Sequence, residues 1–229
     1  MKKSVHTAMF ISMLFGLAGC GRIVDWSKKH LHQGKDIKSE VAHAQTYLRS
    51  VNVYSQFTTK GMFDALWLAS PVRTAYTNVH AYRRGKSEEQ KNVFLRRQLE
   101  ENNHFISFYL LSLHQFPLGN ADSEWQLFLN IDGNNYRATE IKSIDLDPEY
   151  HMIFDSLLTP FKQVYQIKFD ALDAEDRRLI TPQTKKVALH FRSMKKEAAL
   201  TWQFDKDGKL KKKRVLRNST LAKDLQGYA

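Results

Sequence analysis

Few residues in this chain of 229 have types and spacing suited to chemistry. Asp145-x-Asp147-x-Glu149 and Asp205-x-Asp207-Gly208 each space carboxylates as calcium loops do. The first lacks further spaced ligands and a glycine turn. The second would need a carboxylate at its twelfth position, where Leu216 stands. Turn and cap duties explain both sets. His30-x-His32 would present two rings on one face of a strand, but no third ligand accompanies them. No metal site is assigned. His114 and His190 stand alone near or on expected strands and read as structural histidines. Gly-x-Ser-x-Gly, His-Glu-x-x-His and the glycine-rich phosphate loops are absent from the sequence, so no catalytic residue is assigned. A carboxylate pair for glycoside hydrolysis can be assembled on any fold.

The residue with the most definite chemistry is the only cysteine, Cys20. Met1-Lys2-Lys3 gives a basic start, an apolar run extends from Ala8 to Leu17, and small residues precede the cysteine. That is the layout of a secretory signal, and it falls short of the ~20 apolar residues that span a bilayer. The ending Leu17-Ala18-Gly19-Cys20 resembles the lipobox of bacterial lipoproteins. The resemblance implies cleavage before Cys20, with acylation of its thiol and of the new amino terminus. One acyl chain binds a membrane marginally, whereas two or more anchor it, at ~0.8 kcal/mol per buried CH₂. Gly21, rather than aspartate, follows the cysteine, and the resemblance then implies sorting to the outer membrane, on its periplasmic face. Inner-membrane and cell-surface placements are the alternatives.

With Cys20 committed to lipid, the rest of the chain has no thiol. Disulfides, a cysteine nucleophile and cysteine-ligated metals are excluded. Roughly 210 residues suffice to bury a core without such staples. The formal charge of +11 falls to +9 when Lys2 and Lys3 leave with residues 1–19. In an exported protein this excess points to anionic lipid or glycan partners and not to nucleic acid, or else to a generally basic, solvated surface. The densest run is Lys209, Lys211, Lys212, Lys213, Arg214 and Arg217, with no acid among them. Such a segment contacts anionic surfaces at ~1 kcal/mol per residue. Leu210, Val215 and Leu216 are interleaved, so it also reads as one more strand with a solvated lysine face.

Residues 20–35 read as a lipidated tether, with Trp26 suited to a membrane interface. Residues 36–229 read as one domain. A short helix is expected from Asp36, then paired strands over about 45–57 and 62–69 with a turn at Thr58–Gly61. Ser70-Pro71 starts a helix with the stripe Val72, Ala75, Tyr76, Val79 and Tyr82, and Gly85 closes it. The capping box Ser87-Glu88-Glu89-Gln90 starts a second helix to about Asn102, with Val93, Phe94 and Leu99 inward. The stretch from His104 to Phe116 is apolar on both parities, as a central strand is. Trp125 to Ile131 alternates, turns at Asp132–Asn135 and returns over Tyr136–Ile144. Asp147-Pro148 caps a third helix over about 148–158. Gln163–Asp170, Lys186–Arg192 and Ala198–Phe204 complete the strands, the last two joined across Ser193–Lys196.

These elements make an α+β fold: an antiparallel, sandwich-like sheet core with a helix pair over about 71–102 and the short third helix packed on it. Their order looks like that of some uncharacterised bacterial lipoproteins, a resemblance that implies no activity. The expected function is that of a membrane-anchored envelope lipoprotein, a non-enzymatic binding or assembly component facing the periplasm. It would be held through acyl chains on Cys20, need no cofactor beyond that covalent lipid, and engage an envelope protein or an anionic glycan or lipid. An envelope glycan or lipid hydrolase and a lipid carrier are the alternatives.

Overall fold

The computed structural model describes residues 37–56, 58–205 and 207–211. Nine strands form two antiparallel sheets. The first has the order β1 (Leu48–Ser55), β2 (Thr58–Trp67), β3 (Phe105–Leu113), β7 (Lys162–Asp170), β6 (Glu140–Ser143). The second has the order β5 (Asn134–Arg137), β4 (Gln126–Ile131), β8 (Lys186–Arg192), β9 (Glu197–Gln203). Four helices accompany them: α1 (37–45), α2 (Ser70–Arg83), α3 (Glu88–His104) and α4 (Pro148–Phe154), the last continued by a 3₁₀ turn over Asp155–Leu157. The architecture is the expected α+β sandwich.

Strand parity explains the layers. Phe63, Ala65 and Trp67 of β2, Phe108 and Leu110 of β3, and Ile167 and Phe169 of β7 face the second sheet. There they meet Leu129, Val187, Leu189, Phe191, Leu200 and Trp202 in one core. The opposite parity, with Leu66, Leu111 and Val164, meets Val72, Ala75, Tyr76, Tyr150, Ile153 and Phe154 from the helices. β3 is therefore buried on both faces, as its unbroken apolar run requires. Every fully buried leucine or phenylalanine side chain gains roughly 1.5–3 kcal/mol from the transfer out of water. One ion pair is set into the helix side of the first sheet, Asp64 with Lys162 at 2.7 Å, both side chains nearly buried.

Several local expectations are corrected. β2 begins at Thr58, so Thr58–Lys60 are strand residues, and the chain reverses at Gln56, whose φ is +53°. Gly61 lies inside β2, where a Cβ would stand 2.7 Å from the Phe63 ring and 3.1 Å from that of Trp125. Close ring packing, not a turn, demands the glycine. The return over 136–144 is two strands on different sheets. β5 pairs with β4, the chain crosses the sandwich, and β6 pairs with β7. Thr139 secures the crossing, donating from both its amide and its hydroxyl to the Lys168 carbonyl. Ala69, not Ser70, is the extended N-cap residue of α2, with Pro71 in the first turn. Asp147 precedes α4 without a side-chain cap bond, because its carboxylate accepts the Tyr76 hydroxyl at 2.9 Å. The capping box of Ser87 and Gln90 forms as expected. The inward stripe of α3 forms only in part: Phe94 packs on the core, Leu99 is partly buried, and Val93 is 45% exposed.

Candidate functional site

Ring packing builds a cleft at one end of the sandwich. Trp125 enters β4 with its ring edge-on to Phe63, centroids 5.2 Å apart, and its indole N–H donates to the Lys60 carbonyl at 3.1 Å. This bond joins the start of β2 in one sheet to the start of β4 in the other. Ser123 donates to the Pro117 carbonyl at 2.9 Å and accepts from the Trp125 amide, fixing the loop that leads into the strand. On the far side the β8–β9 hairpin closes in a tight turn. Ser193 N donates to the Lys196 carbonyl at 2.8 Å, and Lys196 N donates back to the Ser193 hydroxyl. Met194 and Lys195 stand at its tip.

Between the two hairpins lies a cleft of about 560 Å³, with Trp125 in its wall and Ser55, Lys60, Ser123, Arg192 and Lys196 among its lining. Its charge is one-sided. Lys60, Arg192, Lys195 and Lys196 line it against a single acid, Glu124. Arg192 sits over the Phe128 ring at 5.1 Å and reaches Glu197 at 3.4 Å. Glu197 itself is held below the usual carboxylate range, first by the hydrogen bond to His190 and then by the Arg192 charge. Among the described residues no carboxylate pairs with Lys60, Lys195 or Lys196, and all three are exposed. Unpaired cations lining one cleft attract an anionic group.

A second constellation lies between α2 and α4. Glu149 is 3% exposed, with Oε1 3.7 Å from the Arg84 Nε and 3.9 Å from the His80 Nδ1. Its other oxygen has no hydrogen-bond partner among the described residues. His80 stacks on Phe94 at 4.5 Å and borders a hollow between α2 and α3. Burial first and the Arg84 charge second push the imidazole below its usual range, outweighing the upward pull of Glu149 and Asp147. Nearby, Tyr76 stacks on Tyr150, and burial raises the pKa of both phenols. Burial also pushes Tyr109 up to about 12. A neutral imidazole beside a buried carboxylate can move a proton, but this one is packed into a helix junction.

The residues singled out by sequence separate. Lys209 and Lys211 are exposed at the opposite end of β9 from the cleft. A seven-residue strand, about 23 Å, lies between them and the cleft. Leu210 bridges to Phe204 and packs on the core, and Lys211 N donates to the Gln203 carbonyl. This start of the basic segment makes an isolated bridge and no named strand. Asp205 is a turn residue whose carboxylate accepts the amides of Asp207 and Lys209. Cys20, Trp26, His30, His32, Lys212, Lys213, Arg214 and Arg217 lie outside the described residues. His190 bonds Glu197 and stacks on Phe128, while His114 meets the Pro160 carbonyl. Among the described residues, no group of three potential metal-ligating side chains occurs, and no helix is long and apolar enough to cross a membrane. The cleft escaped sequence reading because Lys60 and Lys196 are 136 positions apart. Only the Met194-Lys195-Lys196 tip carried a local signal, and it reads there as a plain turn.

No protein-family model, curated protein or solved structure matches the chain.

Proposed function

We propose that this chain is a lipid-anchored component of the bacterial cell envelope that binds a partner and does not transform it. The anchor is Cys20, and the placement is the periplasmic face of the outer membrane. The observation that carries the binding role is the cleft between the β1–β2 and β8–β9 hairpins, where four cations face one acid. Such an excess selects for negative groups and speeds their approach, with a strength that falls as salt rises.

The test has two arms on the full chain. Cells fed an alkyne fatty acid should label the protein, and Cys20→Ala should abolish the label. Purified protein should be retained on a soluble-polyanion matrix, heparin or polyphosphate, and elute at lower salt when Lys60, Lys195 and Lys196 become Gln. Unchanged labelling would sink the anchor, and unchanged elution would sink the cleft.

A further inference from the structure

The three most exposed large apolar side chains among the described residues are Met194 at 102%, Phe161 at 74% and Tyr54 at 54%. All three stand at the cleft end of the sandwich. Tyr54 pairs with Thr59 in the last rungs of β1 and β2. Met194 is at the tip of the β8–β9 hairpin that lines the cleft. Phe161 precedes Lys162, the first residue of β7. Pairing runs from Phe63 to Ser112 and from Ser112 to Gln163, so β7 begins at the same end as β2. The next most exposed, Val93, Tyr82 and Met152, lie on helices.

We propose that this end docks on a lipid bilayer bearing anionic head groups, with Met194, Phe161 and Tyr54 entering the interfacial layer and Lys60, Lys195 and Lys196 meeting the head groups. The proposal deepens the reading of the cleft as the binding end and rests on it. The three apolar side chains project from separate elements: the end of β1, the β8–β9 turn and the residue before β7. A fluid layer accepts such projections without shape complementarity, whereas a protein partner needs a matched surface. Lysines behind apolar tips hold the arrangement, since their stems lie along apolar surface while their ammonium groups stay with the phosphates. Tyrosine is also favoured at that depth. The geometry permits docking from the anchor: Gly21–Asp36 separate Cys20 from α1 and extend to at most about 55 Å. The longest strand, β2 with ten residues, spans only about 33 Å.

The test uses the full chain with one introduced cysteine, Met194→Cys, Phe161→Cys or, at the opposite end, Asp207→Cys. Each is labelled with an environment-sensitive fluorophore. The labelled protein is bound to phosphatidylethanolamine vesicles with or without phosphatidylglycerol. Docking predicts a blue shift and quenching by lipid-borne quenchers at 194 and 161, none at 207, and loss of both signals when Lys60, Lys195 and Lys196 become Gln. Aqueous emission at 194 and 161 overturns it. If salt-sensitive retention on the polyanion survives that result, the cleft serves a soluble polymer or protein. If retention is lost as well, the binding-end reading fails with it.

Discussion

His80 shows how a residue can be reactive in type and structural in use. Its ring is stacked on Phe94 and buried beside Glu149, so the folded protein resists protonating it. The unfolded chain takes up that proton near pH 6.5, where the folded one does not. Stability is therefore full above that pH and declines as pH falls toward the lowered folded value, because protons favour the unfolded state. His80→Phe keeps the stacking and removes the titration. Urea denaturation from neutral pH down to about pH 5 should show a shallower loss in the variant than in the parent. Parallel profiles would mean that His80 does not govern the dependence.

At the scale of elements, α3 is an exception to how the other pieces are held. With no fully buried residue, its apolar attachment is confined to partly buried side chains, chiefly Phe94 against Tyr76 and His80. Its main polar tie is Arg73 of α2, 2% exposed, whose guanidinium bonds Asn102 at 2.7 Å, Gln98 at 3.1 Å and Glu101 at 2.9 Å. Arg73→Met keeps the stem and removes these bonds. Amide exchange in α3 should then rise at least tenfold while β2 and β3 stay protected, since a loss of about 1.4 kcal/mol in local opening energy gives that factor. Equal acceleration throughout would show that α3 opens only with the whole domain. Element types were largely legible in the sequence because strand and helix periods are local. The capping box at Ser87 and the double-sided run of β3 are instances. The misread pieces are those decided at a distance. Gly61 looked like a turn until the rings of Phe63 and Trp125 were placed beside it, and Asp147 looked like a cap until Tyr76 claimed its carboxylate. The split of β5 from β6 was likewise invisible, since no composition change marks Ala138–Thr139 as a passage between sheets.

For the molecule as a whole, one core joins both sheets, and two tryptophans knit them. Trp202 donates to the Tyr47 carbonyl at one end, and Trp125 to the Lys60 carbonyl at the other. Tryptophan fluorescence and far-ultraviolet circular dichroism should therefore report one coincident urea transition. Separate midpoints would mean that the sheets melt independently. The cleft is a property of this scale too, because its cations come from both sheets. β1 and β9, the outer strands on one side, also face each other, with the Arg49 side chain donating to the Thr201 carbonyl. The other two outer strands, β5 and β6, have four residues each. The consequence is colloidal. On the side of β5 and β6, four residues apiece leave no long row of unpaired amides on which a neighbouring copy could build, so that side resists edge-to-edge stacking when these molecules are crowded.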